Sequence, residues 1–347
     1  MSRVKFFDAT LRDGSHAIKH QLSKEIIAKY CKAIDDAGMY TVIVGHGNGL
    51  GASSLQVGLS LLTDEEMLLT ARNSLSHTKL GAYLIPGFGT IADNLIPAIN
   101  LGVEVFKVGC HCTEADTTRQ HIEYIRNAGK EVYGVLMMYH MASTECLLGE
   151  AQKMQSYGVN GIIIMDSAGA STPELVKRTI STLTDNLNVL IGFHPHNNLG
   201  LAVANAYIAI QEGAQIIDGT IRGFGAGAGN VQLEALSALL TKEGYELNHN
   251  LYRLFDISEK IIKPIMPEDK ALSDLSIVSG MSGVFSAFKV HVLNAAKHFC
   301  VDPRDIFMEL GKRKIIAGQE DIIIEVAERL SNPMREDSES YLLATLS

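Results

Sequence analysis

Short apolar, β-branched runs alternate with longer amphipathic stretches along the first two-thirds of the chain. The apolar runs are VKFF (4–7), TVIVG (41–45), KLGAYLIPG (79–87), VFKVG (105–109), EVYGVLMM (131–138), GIIIMDS (161–167), VLIGFHPH (189–196) and IIDGTI (216–221). Between them, residues 23–37, 63–76, 114–128, 142–157, 173–187 and 201–212 carry apolar positions at helical spacing. Most of the strands are too uniformly apolar to have a wet face, so both faces must be covered. Strands of that kind alternating with helices predict a (β/α)8 TIM barrel, a closed parallel sheet ringed by helices. An open doubly wound sheet is the alternative that the same pattern allows.

The alternation stops near Leu240. From 251 to 330 only helical periodicity remains, in LYRLFDISEKIIKPI, GVFSAFKVHVLNAAKHF, PRDIFMELGKR and QEDIIIEVAERL, which predicts a smaller helical domain. The expected organisation is therefore a barrel over 1–250, a helical domain over 251–330 and a loosely held tail over 331–347.

Composition narrows the partners. The 347 residues are 46% hydrophobic and carry a formal charge of -9, with no basic stripe, so nucleic acid is not an expected partner and small molecules are. The N-terminus MSRVKFFDATLRDG lacks the apolar run of a signal peptide, and no apolar stretch approaches the roughly 20 residues that span a bilayer. A cytoplasmic protein with no membrane contact is expected. Five cysteines are too few and too scattered for a disulfide framework, which agrees with a reducing compartment.

In such a barrel the chemistry gathers where strands end. Reading those ends in order gives Arg12, Asp13 and His16 after the first, His46 after the second and His111 after the fourth. His140 follows the fifth, Asp166 and Ser167 the sixth, and His194 and His196 the seventh. Within HPHNN, two histidines at i and i+2 project to one face of a strand, where each can offer a neutral nitrogen to a divalent ion. Asp13 joins them as a candidate, because the first and seventh strands lie two steps apart around a closed eight-stranded barrel. Such a mixed nitrogen and oxygen set suits Mn2+, Mg2+, Fe2+, Co2+ or Zn2+.

Together DATLRDGSHA, HGNGLGASS, HCTEADTTRQHIEY, LMMYHMA, MDSAGA, HPHNNLGLAVAN and GFGAGAGN resemble the 4-hydroxy-2-oxovalerate aldolases, members of the DRE-TIM metallolyase superfamily related to hydroxymethylglutaryl-CoA lyase. The resemblance runs to GKRKIIAGQED and implies a barrel followed by a helical domain. It implies a class II pyruvate aldolase that cleaves 4-hydroxy-2-oxovalerate to pyruvate and acetaldehyde with a divalent metal, Mn2+ first. Asp13, His194 and His196 become the metal ligands, with Asp13 and His194 also touching substrate. Arg12 becomes the group that stabilises the enolate, His16 the catalytic base, and Ser167 a contact to the substrate carboxylate or carbonyl. His16 favours aldol chemistry over the Claisen-type synthases of the superfamily, which carry LRDGxQ.

The family's helical domain presents a GYxGVYSSF-like segment. Here it reads GMSGVFSAF, so Met281 and Phe285 replace tyrosines and one phenol that could position the hydroxyl is missing. The resemblance also implies an acylating acetaldehyde dehydrogenase partner, in a hetero-oligomer built on homodimers. A stripe of Val284, Phe285, Phe288, Val292, Leu293 and Ala296 is the face expected either to pack internally or to meet another subunit. Competing readings are an acyl-CoA-using synthase or lyase, a non-catalytic partner subunit, and a Schiff-base aldolase. The last would need Lys107, which reads better as a polar residue tucked against a helix or solvent edge. Cys110 and Cys112 read as core fillers with His111 on the opposite face, and Met137 and Met138 as core. His46 and His140 read as cavity or rim residues, and GFGAGAGN as a tight turn.

Overall fold

The computed structural model describes residues 4–267, 272–316 and 318–331. Eight parallel strands close into a barrel in chain order: β1 (Lys5–Asp8), β2 (Thr41–Ile43), β3 (Lys79–Leu84), β4 (Val105–His111), β5 (Glu131–Met137), β6 (Gly161–Asp166), β7 (Leu190–Pro195) and β8 (Ile216–Gly219). β8 pairs with β1, which rules out the open sheet. The ring of helices is α1 (Lys24–Ala37), α2 (Asp64–Arg72), α3 (Ile96–Asn100), α4 (Arg119–Asn127), α5 (Thr144–Tyr157), α6 (Pro173–Asn186), α7 (Ala202–Gln211) and α8 (Leu233–Lys242). Side-chain caps set several starts: Ser23 accepts the Ile26 N–H, and Thr63 and Glu66 form a reciprocal capping box. α3 escapes sequence reading because it is five residues long and follows a π-turn at Ile91–Leu95.

Strand parity sorts the side chains. Phe7, Ile43, Tyr83, Val105, Tyr133, Val135, Ile163, Met165 and Ile216 fill the lumen, while their neighbours Phe6, Val42, Phe106 and Ile217 pack outward against the helices. Lys107 and Asp218 share the parity of Val105 and Ile216, so both are enclosed within the barrel.

Beyond the barrel, α9 (Leu251–Ile257) and the π-turn Ser258–Ile262 lay Leu254, Ile257, Ile261 and Ile262 into the core between strands and helices. A separate apolar core joins α10 (Asp274–Ser282), α11 (Lys289–Phe299), α12 (Pro303–Lys312) and α13 (Glu320–Ser331). Of the stripe expected along 284–296, Val284, Phe288, Val292 and Ala296 are spent inside this core, with Phe285 packed partly buried against it; Leu293 stays exposed, as does Val290 beside the stripe. The helical unit is tied to the barrel through Asn198, whose Nδ2 donates to Ser276 O at 3.1 Å and Ser286 Oγ at 3.0 Å. Among the described residues no helix is long and apolar enough to cross a membrane. The tail expected over 331–347 falls, from 332 on, outside the described residues.

Candidate active site

β1 ends in a turn that Asp8 organises. Its Oδ1 accepts the Thr10 N–H at 2.9 Å and its Oδ2 accepts the Tyr30 hydroxyl at 2.6 Å, which aims the following 3-10 turn, Asp13–Ile18, at the barrel mouth. That turn brings Asp13 to the end of β7. Asp13, His194 and His196 are all buried, and one ligand atom from each lies within 4.8 Å of the others. The three residues expected to share a cation therefore come together.

Their protonation suits one. Burial alone would push the Asp13 carboxyl up, but Arg12 and then His196 outweigh it and hold the acid well below its usual range. Arg12 Nη1 donates to Asp13 Oδ1 at 2.9 Å, and Asp13 Oδ2 accepts Asn230 Nδ2 at 2.8 Å and the Ala226 N–H at 3.2 Å. Gly225 permits this approach, since a Cβ there would lie 2.6 Å from Asp13 Oδ2. Burial pushes His196 down to about 3, leaving a neutral imidazole. His194 Nδ1 lies 2.9 Å from Asp218 Oδ2, so Nε2 is the nitrogen left for a ligand. Both His194 nitrogens, His196 Nδ1 and Asn230 Oδ1 are buried without a hydrogen-bond partner, the Asp218 approach to His194 Nδ1 being an ion-pair contact off the hydrogen-bond line. Such orphaned acceptors beside an ionised carboxylate fit a divalent cation.

Arg12 is the second feature. Besides Asp13, its Nη1 donates to Gly47 O at 3.1 Å, and its guanidinium lies 4.7 Å over the Tyr83 ring. Nε and Nη2 remain unpaired in a nearly water-free position. A cation held on one side with donors to spare on the other is arranged for an anion still to come. His16 sits across Gly47, where a Cβ would meet its Nε2 at 2.3 Å. Burial pushes His16 down to about 4, against the upward pull of Asp13. Its ring lies 4.9 Å from His20 and 6.4 Å from His46, which stack on each other at 3.7 Å.

The remaining candidates divide. Ser167 is buried and accepts the Met138 N–H at 3.2 Å. Asp166 caps its own loop by accepting the Ala170 and Ser171 N–H groups at 2.9 and 3.1 Å. His46 is a rim residue with both nitrogens engaged, Nε2 to Gly58 O at 3.1 Å and Nδ1 accepting the Asn48 N–H at 3.0 Å. His140 reaches the helical unit at Gly283 O, 3.1 Å away. Cys110 and Cys112 are buried in the outer core, and His111 turns to Thr113 Oγ1 at 2.9 Å.

Two readings need correction. Lys107 is not at a helix or solvent edge: it crosses the lumen to an ion pair with Asp218, and burial pushes its ammonium down to about 8. Nor is GFGAGAGN merely a turn, because Ala226 and Asn230 hold Asp13 in place. Asn230, Asp218, Tyr83 and His20 went unnoticed as site residues. The final asparagine of the glycine-rich run was the one local signal that could have flagged any of them.

Comparison with known proteins gives the family. Residues 102–261 match the HMGL-like family and residues 270–332 the DmpG-like communication domain. The chain is 54% identical over 332 residues to a 4-hydroxy-2-oxovalerate aldolase of Pectobacterium atrosepticum, covering 95% of this chain and 96% of that one. It is 51% identical to the protein of the same name from Spirochaeta aurantia, covering 95% and 96%. Among solved structures, the carboxyl transferase domain of Rhizobium etli pyruvate carboxylase aligns with a TM-score of 0.79 at 15% identity, over 96% of this chain and 61% of that one, a likeness of fold alone.

Proposed function

The chain belongs to the 4-hydroxy-2-oxovalerate aldolase family and is a carbon–carbon lyase, and from that premise we propose that it cleaves 4-hydroxy-2-oxovalerate, or a close 4-hydroxy-2-oxo acid, to pyruvate and the matching aldehyde in a metal-dependent reaction. The observation that carries this reading is one buried cluster in which Asp13, His194 and His196 lie together and Arg12, bound to Asp13, keeps two unpaired donors. A divalent ion, Mn2+ first among Mg2+, Co2+, Fe2+ and Zn2+, would supply Lewis acidity toward the 2-oxo acid there.

The chain's own groups do the rest. Arg12 Nε and Nη2 donate to the C2 oxygen as it gains charge. His16, neutral above its depressed pKa, takes the C4 hydroxyl proton as the C3–C4 bond breaks, and the aldehyde leaves. The enolate left behind gains one proton at C3, in exchange for the one His16 took and gives back, and becomes pyruvate. Ser167 spends one lone pair on Met138 N–H and keeps its own hydrogen for the substrate carboxylate. Charge is already paired among the chain's own groups, Arg12 with Asp13 and Lys107 with Asp218, so a bound divalent ion would bring net positive charge to the site for an anionic 2-oxo acid.

We assign the chemistry to the barrel, 1–250, and to the helical part, 251–330, the cover of the site and the contact with an acylating acetaldehyde dehydrogenase, within a hetero-oligomer built on homodimers. The communication-domain match supports that assignment. The test is pyruvate release from racemic 4-hydroxy-2-oxo acids before and after chelation. Activity is expected to vanish with the metal and return with Mn2+. Full activity in protein shown to be metal-free would end the proposal.

A further inference from the structure

We propose that Lys107 and Asp218 form a positioning pair for the metal centre, fixing the tautomer and orientation of His194 from inside the barrel. The inference rests on the metal reading given above and adds to it two residues that touch neither substrate nor ion.

Lys107 and Asp218 are both fully enclosed, with no exposed side-chain surface. They come from β4 and β8, four strands apart around an eight-stranded ring, so the lysine spans the lumen to reach its partner. Such a pair is a poor device for stability. Removing two charges from water costs several kcal/mol per ion, and an apolar pair of similar volume often does as well or better. Something other than folding therefore accounts for its place at the centre of the barrel.

Asp218 Oδ2 supplies the reason. The oxygen that takes the lysine also lies 2.9 Å from His194 Nδ1. Register brings the two side by side: Phe193 pairs with Ile217, and His194 and Asp218 follow each of them on the lumen side. A carboxylate at Nδ1 keeps the proton there, turns the ring, and leaves Nε2 as the basic nitrogen toward Asp13 and His196. Asp218 alone could do this, but a second carboxylate near Asp13 would itself compete for a cation. Lys107 neutralises it and pins the oxygen to the lumen. Both cations border Tyr83, with Lys107 Nζ 5.7 Å and the Arg12 guanidinium 4.7 Å from its ring. The two cations keep separate partners, Arg12 with Asp13 and Lys107 with Asp218.

The experiment is Mn2+ binding to the full chain, read by the electron paramagnetic resonance of free Mn2+, in wild type and in the double variant Lys107→Met/Asp218→Leu. The double change removes both charges at once, so no uncompensated ion is buried. It is expected to fold with an unchanged or higher melting temperature and to bind Mn2+ about 10–100-fold more weakly, the usual effect of losing an outer partner of a ligand. In 15N-histidine-labelled apoprotein, wild-type His194 is expected as the Nδ1–H tautomer and the variant as a mixture. A folded double variant that binds Mn2+ as tightly as wild type overturns the inference and leaves the metal reading standing. Wild-type protein without Mn2+ affinity overturns both. If the double variant does not fold, Asp218→Asn decides: at least a tenfold loss of affinity supports the pair, and undiminished affinity refutes it.

Discussion

Replacing Arg12 by lysine keeps the positive charge and removes the fork. In the structure the guanidinium is already divided: Nη1 is committed to Asp13 at 2.9 Å and Gly47 O at 3.1 Å, while Nε and Nη2 are unpaired. A lysine ammonium that keeps the Asp13 contact has no second arm in a fixed plane, so both free donors are lost. One well-placed donor to an oxyanion is worth about 2.7–4 kcal/mol, or 10²–10³ in kcat. The retained charge recovers part of the second donor, so we expect Arg12→Lys to lose about one donor's worth, ~10²–10³ in kcat. The assay has two arms: pyruvate release from 4-hydroxy-2-oxovalerate, and exchange of the pyruvate methyl protons in D2O followed by NMR, which needs the enolate but no aldehyde. Both should fall together while Mn2+ affinity stays within a few-fold. A variant within tenfold of wild type in kcat, with exchange undiminished, would refute the role. So would a loss that tracks metal occupancy, since Arg12 would then act only by holding Asp13.

His16→Ala should lose ~10²–10⁴ in cleavage, the usual worth of a general base, yet keep Mn2+ and pyruvate binding; loss of pyruvate affinity equal to that of Arg12→Lys would contradict the division of labour. His249 packs edge-on against Phe6 at 4.7 Å with Nε2 2.8 Å from Ser237 Oγ, and burial pushes it down to about 4. The folded chain then binds fewer protons than the unfolded one between pH 6.5 and 4, so His249 costs about 1–3 kcal/mol of stability as pH falls through that window and nothing above it. Urea melts of wild type and His249→Gln should diverge there, and parallel pH slopes would refute the assignment. Mixed with its cognate dehydrogenase at micromolar concentration, the chain should sediment as a hetero-oligomer; a fully active chain that stays dimeric or smaller would count against the partner.

What could be read from the sequence was what local spacing encodes. The i, i+2 pair His194 and His196 needs only strand parity, and Asp13 needs only the neighbourhood of β1 and β7 in a closed ring. Lys107 shows the limit. Its partner is 111 positions away, on the opposite wall, and a lysine inside an apolar run looks like an edge residue until the barrel closes around it. The same holds for Tyr83, placed under Arg12 by closure alone. α10 was missed for another reason: DLSIVSGMS has weak helical periodicity, and its helix rests on the Ser273 cap and on packing against α12.

The departure at 281 and 285 gains meaning from the structure. Met281 is 61% exposed, so the residue at that place faces solvent rather than substrate. Phe285 is half-buried, 5.8 Å from Phe288 and edge-on to it, anchored to the helical core it belongs to. Its ring keeps the apolar contact that a tyrosine would make there but offers no proton. If the chain cleaves a 4-hydroxy-2-oxo acid as proposed, hydroxyl placement would fall to groups of the barrel, with His16 foremost. A helical segment that contributes shape and no hydrogen bond discriminates weakly between the two hands of a C4 hydroxyl, because rejecting the wrong isomer takes a polar group that it would leave unpaired.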